Sequence, residues 1–111
     1  MGMKLREKKT GFSTSVQVSG KVESSDAIAL SRRLESLSKK KNRVVVLDLS
    51  GIHFLDSHWL GVLVYCWKLF RDQERELLFV VPPGPIRGLF SDACLDKTFR
   101  IYATLSEALS A

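Results

Sequence analysis

The segment RVVVLDLSG at residues 43–51 constrains this chain most. Residues 43–49 are near-continuously apolar and rich in β-branched side chains. A strand with one wet face alternates apolar with polar; a run of this kind needs cover on both faces. The chain must therefore supply layers on either side of a sheet. That demand points to an α/β protein and away from an open antiparallel meander.

The covering elements are legible around it. STSVQVS at residues 13–19 sets Val16 and Val18 among polar residues at period two, the pattern of a strand. Thr10-Gly11 suggests a turn from a short strand over residues 3–8, and Gly20 ends the second strand. Ser24, Ser25 and Asp26 offer N-cap candidates for a helix whose Ala27, Leu30, Leu34 and Leu37 share one face. Lys39, Lys40, Lys41 and Asn42 are expected to finish that helix, with cations at the negative end of its dipole. A second helix is predicted over residues 57–72. LLFVV at residues 77–81 reads as another buried strand, stopped by Pro82-Pro83-Gly84-Pro85. A short helix over 86–93, a strand or extended segment in TFRIYA, and a capping box from Thr104 to Glu107 opening a last helix complete the pattern. The first two strands can pair through their turn, so the sheet is expected to be mixed.

Length and charge narrow the class. The chain has 111 residues, the usual size of one domain, and 45% hydrophobic residues, enough for a core. No apolar run reaches the roughly 18 residues of a membrane span. MGMKLREKKTGF is charged and lacks the apolar core of a secretion signal. Cys66 and Cys94 form no close-spaced framework and read as reduced thiols of a cytoplasmic protein. The net charge of +5 is concentrated in Lys4-Arg6-Lys8-Lys9 and Lys39-Lys40-Lys41-Arg43. Without interleaved aromatics or a recognisable motif, these clusters suggest a solvated surface or an acidic protein partner before nucleic acid.

The junction FLDSHWLGVL at residues 54–63 is the candidate site. Asp56, Ser57 and His58 are residue types of a nucleophilic triad, but neighbours on a helix do not face one another. His53, His58, Cys66 and Cys94 lack metal-ligand spacing, and no phosphate-binding glycine motif is present. No cofactor is expected. Either Asp56 or Ser57 is expected to cap the helix that follows. On that helix Leu60, Leu63, Val64 and Trp67 form an apolar stripe, which Trp59, Val62, Cys66, Leu69 and Phe70 widen to roughly 200°.

With the elements in this order, VVVLDLSGIHFLDSHWLGVLV resembles the signature of STAS domains, the family of bacterial anti-sigma-factor antagonists. There an apolar strand ends in Asp-Leu-Ser-Gly, and a loop leads to Asp-Ser-Ser-Gly-Leu-Gly at a helix start. VQVSGKVESSDA resembles the family's second strand and the start of its first helix. LLFVVPPGPIRGLFSDACLDKTFRIYATLSEAL resembles its closing portion, including Leu95-Asp96-Lys97. The resemblance implies one α/β domain over residues 1–111, with a mixed sheet and about four helices. It implies no catalysis and no cofactor. Typical members bind a GHKL-type serine kinase that also holds a sigma factor, and are switched off when the kinase phosphorylates the second serine of the motif. Residue by residue, Asp56 matches the aspartate, Ser57 the first serine, and Leu60-Gly61 the following pair. The phosphorylated serine falls at His58 and the small glycine at Trp59.

The expected function is therefore protein binding by an anti-sigma-factor antagonist whose usual phospho-acceptor is replaced. Expected partner-binding residues are Glu23, Ser24, His53, Asp56, Ser57, His58 and Trp59, with Ser57 the one remaining phosphosite candidate. Trp59 is expected to be an interface anchor and not a core residue. The alternative is a STAS subunit of a bacterial ABC-type lipid transport complex, with a membrane-complex partner but no insertion of this chain into the membrane.

Overall fold

The structure, a computed structural model, describes residues 2–40 and 44–111. Strands β1 (Met3–Thr10), β2 (Ser13–Gly20), β3 (Val44–Gly51), β4 (Glu76–Val80) and β5 (Arg100–Tyr102) form one sheet in the order β1-β2-β3-β4-β5. β1 and β2 are antiparallel, and β2 to β5 run parallel, so the sheet is mixed as expected. Among the described residues the helices are α1 (Asp26–Ser38), α2 (Ser57–Asp72), α3 (Pro85–Asp92) and α4 (Leu105–Leu109). A 3-10 turn at Leu95–Lys97 precedes β5.

The two-faced strand finds its two covers. In β3, Val45, Leu47 and Leu49 point into the main core with Leu30, Leu34 and Leu37 of α1 and Leu63, Cys66 and Phe70 of α2. Val46 points the other way, into a smaller cluster with Leu78, Val80 and Ala108 of α4. Alternate residues of β3 and β4 thus serve opposite layers. The centre of the main core is aromatic, with Phe79 stacked on Phe99 at 4.3 Å between centroids.

Turn chemistry fixes the register of the first hairpin. Thr10 pairs with Ser13, leaving Gly11 and Phe12 as a two-residue connection. Gly11 has φ +61 and is the first central residue, the position where a hairpin turn of this length takes glycine. The ribbon is tied to α1 by the two-pronged ion pair of Arg33 with Glu7, whose second contact is 2.7 Å. The Arg33 guanidinium holds the Glu7 carboxyl below its usual range.

The first helix starts at one of the expected N-cap residues, but the bonding at its start and the place of its end differ from expectation. Ser25 is the N-cap but makes no side-chain capping bond; instead the Asp26 carboxylate accepts the N–H of Glu23 at 2.8 Å. The helix ends at Ser38, and Lys39 is already the C-cap, so no cation lies in its last turn. Arg75, 37 residues away, donates to the Ser38 carbonyl at 3.0 Å and takes the role expected of the lysines. Lys41, Asn42 and Arg43, expected at the helix end and strand start, lie outside the described residues. Among the described residues no helix is long and apolar enough to cross a membrane.

Candidate functional site

The loop after β3 delivers the chain to α2 with Ile52 and Leu55 buried and His53 and Phe54 exposed. Asp56 is extended (φ −129, ψ −178), and its carboxylate accepts the Trp59 N–H at 3.0 Å. Its carbonyl accepts the Leu60 N–H at 3.1 Å. Asp56 is thus the capping residue of the pair, and it leaves Ser57 free to face solvent as the first helical residue.

The Asp56 carboxyl is held below its ordinary value, chiefly by the Trp59 N–H. Desolvation opposes this, and the Ser24 hydroxyl and the neighbouring His58 add to it. A lowered folded-state pKa contributes stability that is present above the unfolded value and lost as pH falls through the folded one. The window therefore lies below about pH 3.8, the unperturbed value. Asp56→Asn keeps a capping oxygen but does not titrate. Urea unfolding of the two proteins from neutral pH downward should show the wild type losing its excess stability only in that acid window.

Trp59 corrects the sequence expectation. Its side chain is fully buried, and its indole N–H donates to the Glu23 carbonyl at 2.9 Å. The physical reason is its place on α2. The buried line of the helix is Trp59, Leu63, Cys66 and Phe70, at spacings of four, three and four. Leu60, Val64 and Trp67, expected on the central stripe, are half-buried beside it. A side chain at 59 points inward over the β2–α1 connection and forms part of the core.

The expected site residues separate into three groups. Glu23 and Ser24 meet Asp56 and Trp59 through backbone and hydroxyl contacts that fasten the β2–α1 connection to the start of α2. Ser57 and His58 face solvent at the rim of a groove of about 370 Å³ between α1 and α2. His53 stands apart, lining a separate hollow of about 220 Å³ with Pro82, Pro83 and Ile86.

The groove adds residues that the sequence reading missed: Ile28, Ser31, Gly61 and Tyr65. Ile28 and Tyr65 are 43% and 51% exposed, large apolar side chains off the buried faces of their own helices. That mismatch with the helical pattern was the available signal. A methyl group at Gly61 would meet nothing within 4 Å, so packing does not demand glycine there.

The remaining candidates do not come together as a site. Cys66 is buried and its thiol is pushed up to about 12 by desolvation, whereas Cys94 is exposed; neither is in a disulfide. Among the described residues no cluster of three or more His, Cys, Asp or Glu is placed to hold a metal.

The sequence profile described as STAS domain matches residues 5–108. The fold is similar to the crystal structure of an anti-sigma factor antagonist from Mycobacterium paratuberculosis, with 26% identity, 97% of this chain and 92% of that one covered, and a TM-score of 0.86. It is similar in fold to an anti-sigma factor antagonist described as putative from Thermotoga maritima, at 24% identity, 96% and 92% coverage and a TM-score of 0.85. At 13% identity, the phosphorylated form of the Bacillus cell fate determinant SpoIIAA shares the fold with a TM-score of 0.73 over 96% of this chain and 97% of that one.

Proposed function

This chain belongs to the STAS domain family, and on that premise we propose that it is a non-catalytic, cytoplasmic binding regulator of the anti-sigma-factor antagonist kind. It docks an anti-sigma factor of the GHKL serine-kinase class through the first turn of α2 and the groove beside it, with residues 1–111 acting as one unit. The observation that carries this reading is the division of labour at that turn. Asp56 and Trp59 hold it from beneath, while Ser57 and His58 are presented at the rim of an open groove that the fold leaves unfilled.

Gly61 separates docking from folding. Gly61→Gln places a long side chain over the groove floor and, at a helix-interior position, does not lower helix propensity. The expected result is capture of the kinase weakened roughly tenfold or more with no loss of thermal stability. Undiminished capture by a folded variant rejects the groove as the docking site. Recovery of an ABC ATPase in place of a GHKL kinase from the same pull-down replaces the reading with that of a transport-complex subunit.

The switch is proposed to be altered. The family's phospho-acceptor falls at His58, and Ser57 sits one residue, about 100° of helical rotation, away. Incubation with the cognate kinase and ATP should leave the intact mass unchanged. His58→Ser alone should then gain one phosphate. Trp59 is best left in place, because its removal would test the core and not the switch. Stoichiometric phosphate on Ser57 of the unaltered chain would refute this.

A further inference from the structure

The two basic clusters remain unused by that site. The topology brings part of each, Lys8-Lys9 and Lys39-Lys40, to one end of the domain, opposite α2's first turn, whereas Lys4 lies at the other end of the ribbon beside Ser19. Ser13 pairs with Val44, so the β1–β2 turn lies at the start of β3. The C-terminus of α1 reaches the same end, and Lys9 and Lys40 line one hollow of about 260 Å³ with Arg33 and Glu7. At the tip of the hairpin stands Phe12, 78% exposed, the greatest exposure among the large hydrophobic side chains of the described residues. Lys8 and Lys9 precede it on adjacent β-strand positions, so they lean to opposite faces of the ribbon. Lys39 and Lys40 are exposed at the adjoining helix end.

Acidic groups do not cancel this charge. Glu7 is engaged by Arg33. Glu35, on α1, lies near Cys66 of α2. Asp72 ends α2, Glu74 lies in the connection that follows and Glu76 opens β4, beyond β3 from the hairpin, and Glu76 is paired with Arg100 at 2.6 Å. The β1–β2–α1 side of this end is therefore cationic around a protruding aromatic ring.

We infer that this end docks on an anionic membrane surface, with Phe12 entering the headgroup layer and Lys8, Lys9, Lys39 and Lys40 pairing with lipid phosphates. The two-residue turn presents its one large apolar side chain, Phe12, at the tip of the ribbon, with the hollow at Lys9 and Lys40 set back against α1. A lipid interface accepts such a tip without shape complementarity, and cations on both sides of the ribbon suit a plane of negative charge. The site is separate from the groove at Ser57 and His58, so both can be engaged together.

The test is flotation of the full chain with vesicles of phosphatidylcholine mixed with phosphatidylglycerol, against phosphatidylcholine alone, at physiological ionic strength. Binding is expected only to the mixed vesicles and should fall with added salt. Each of the four lysines replaced by alanine should weaken it roughly fivefold. Phe12→Ala should weaken it roughly tenfold. These side chains are exposed, and circular dichroism should show every variant folded. Gly61→Gln should float like the unaltered chain, which keeps this result independent of the docking groove. No binding to the mixed vesicles, equal binding to neutral ones, or binding indifferent to Phe12 and the lysines would each overturn the inference. So would tighter capture by polyglutamate or duplex DNA that survives Phe12→Ala, since the patch would then serve a soluble polyanion.

Discussion

Trp59→Ala should destabilise the protein by about 3–5 kcal/mol, seen as a large fall in the denaturant midpoint with little change in slope. The side chain is completely buried at the head of the inward line of α2, and its removal leaves a cavity beneath the β2–α1 connection. Trp59→Phe isolates the smaller contribution. It retains most of the apolar volume but gives up the indole bond to the Glu23 carbonyl, for a cost of about 1 kcal/mol. A loss below about 1 kcal/mol for the alanine variant would mean that the ring is not packed as described.

Gly51→Val should be the next most damaging change, at about 2–3 kcal/mol. A Cβ at this position would lie 2.9 Å from the Val18 carbonyl oxygen and 3.1 Å from the Ser19 Cβ. The first is backbone of the neighbouring strand, at a point where the β2–β3 register already shifts between Gln17 and Ser19. Neither atom is the far end of a flexible side chain that could swing aside, so the strand ends must part. Gly51→Ala should show the same effect at smaller size. Because Gly51 ends β3 just before the loop to Asp56, the valine variant should also weaken docking, unlike substitutions elsewhere in the sheet. Equilibrium unfolding together with a pull-down separates the two effects. A valine variant as stable as the parent would show that the strands approach less closely than described.

The sequence made the centre of the fold readable and left its joints obscure, for a physical reason. The β-branched run of β3 and the bounds of α2 follow from local signals: continuous burial on both faces and a capping aspartate beside an apolar helix. The end of α1 did not follow, because the group that terminates it is Arg75 bonded to the Ser38 carbonyl, far along the chain. Lysines are good helix formers, and nothing local in Lys39-Lys40 announces a stop. At the candidate site, a cap at Asp56 or Ser57 was legible from the helix start, but only the geometry chooses Asp56 and leaves Ser57 and His58 exposed. Trp59 was misread although its spacing to Leu63, Cys66 and Phe70 was present in the sequence. The glycine of the related motif suggested a position without a socket, and here the β2–α1 connection supplies one. The groove was hidden because it needs two helices side by side. Ser57, Gly61 and Tyr65 share one face of α2, but Ile28 and Ser31 join them only when α1 and α2 pack.

The lodging of Trp59 gives the molecule an intrinsic optical reporter. The chain holds two tryptophans, both on α2 and separated by eight residues, about 12 Å along the axis. The indole of Trp59 is dry and bonded to the connection behind Ser57 and His58, whereas that of Trp67 is half-buried with its ring 5.9 Å from Phe99 and under the Arg71 guanidinium at 4.9 Å. In a Trp67→Phe background, excited at the red edge of the absorption band where Tyr65 and Tyr102 absorb little, the tryptophan emission comes from residue 59 alone. Strain or hydration reaching the underside of the first turn would then change colour and lifetime without any attached dye.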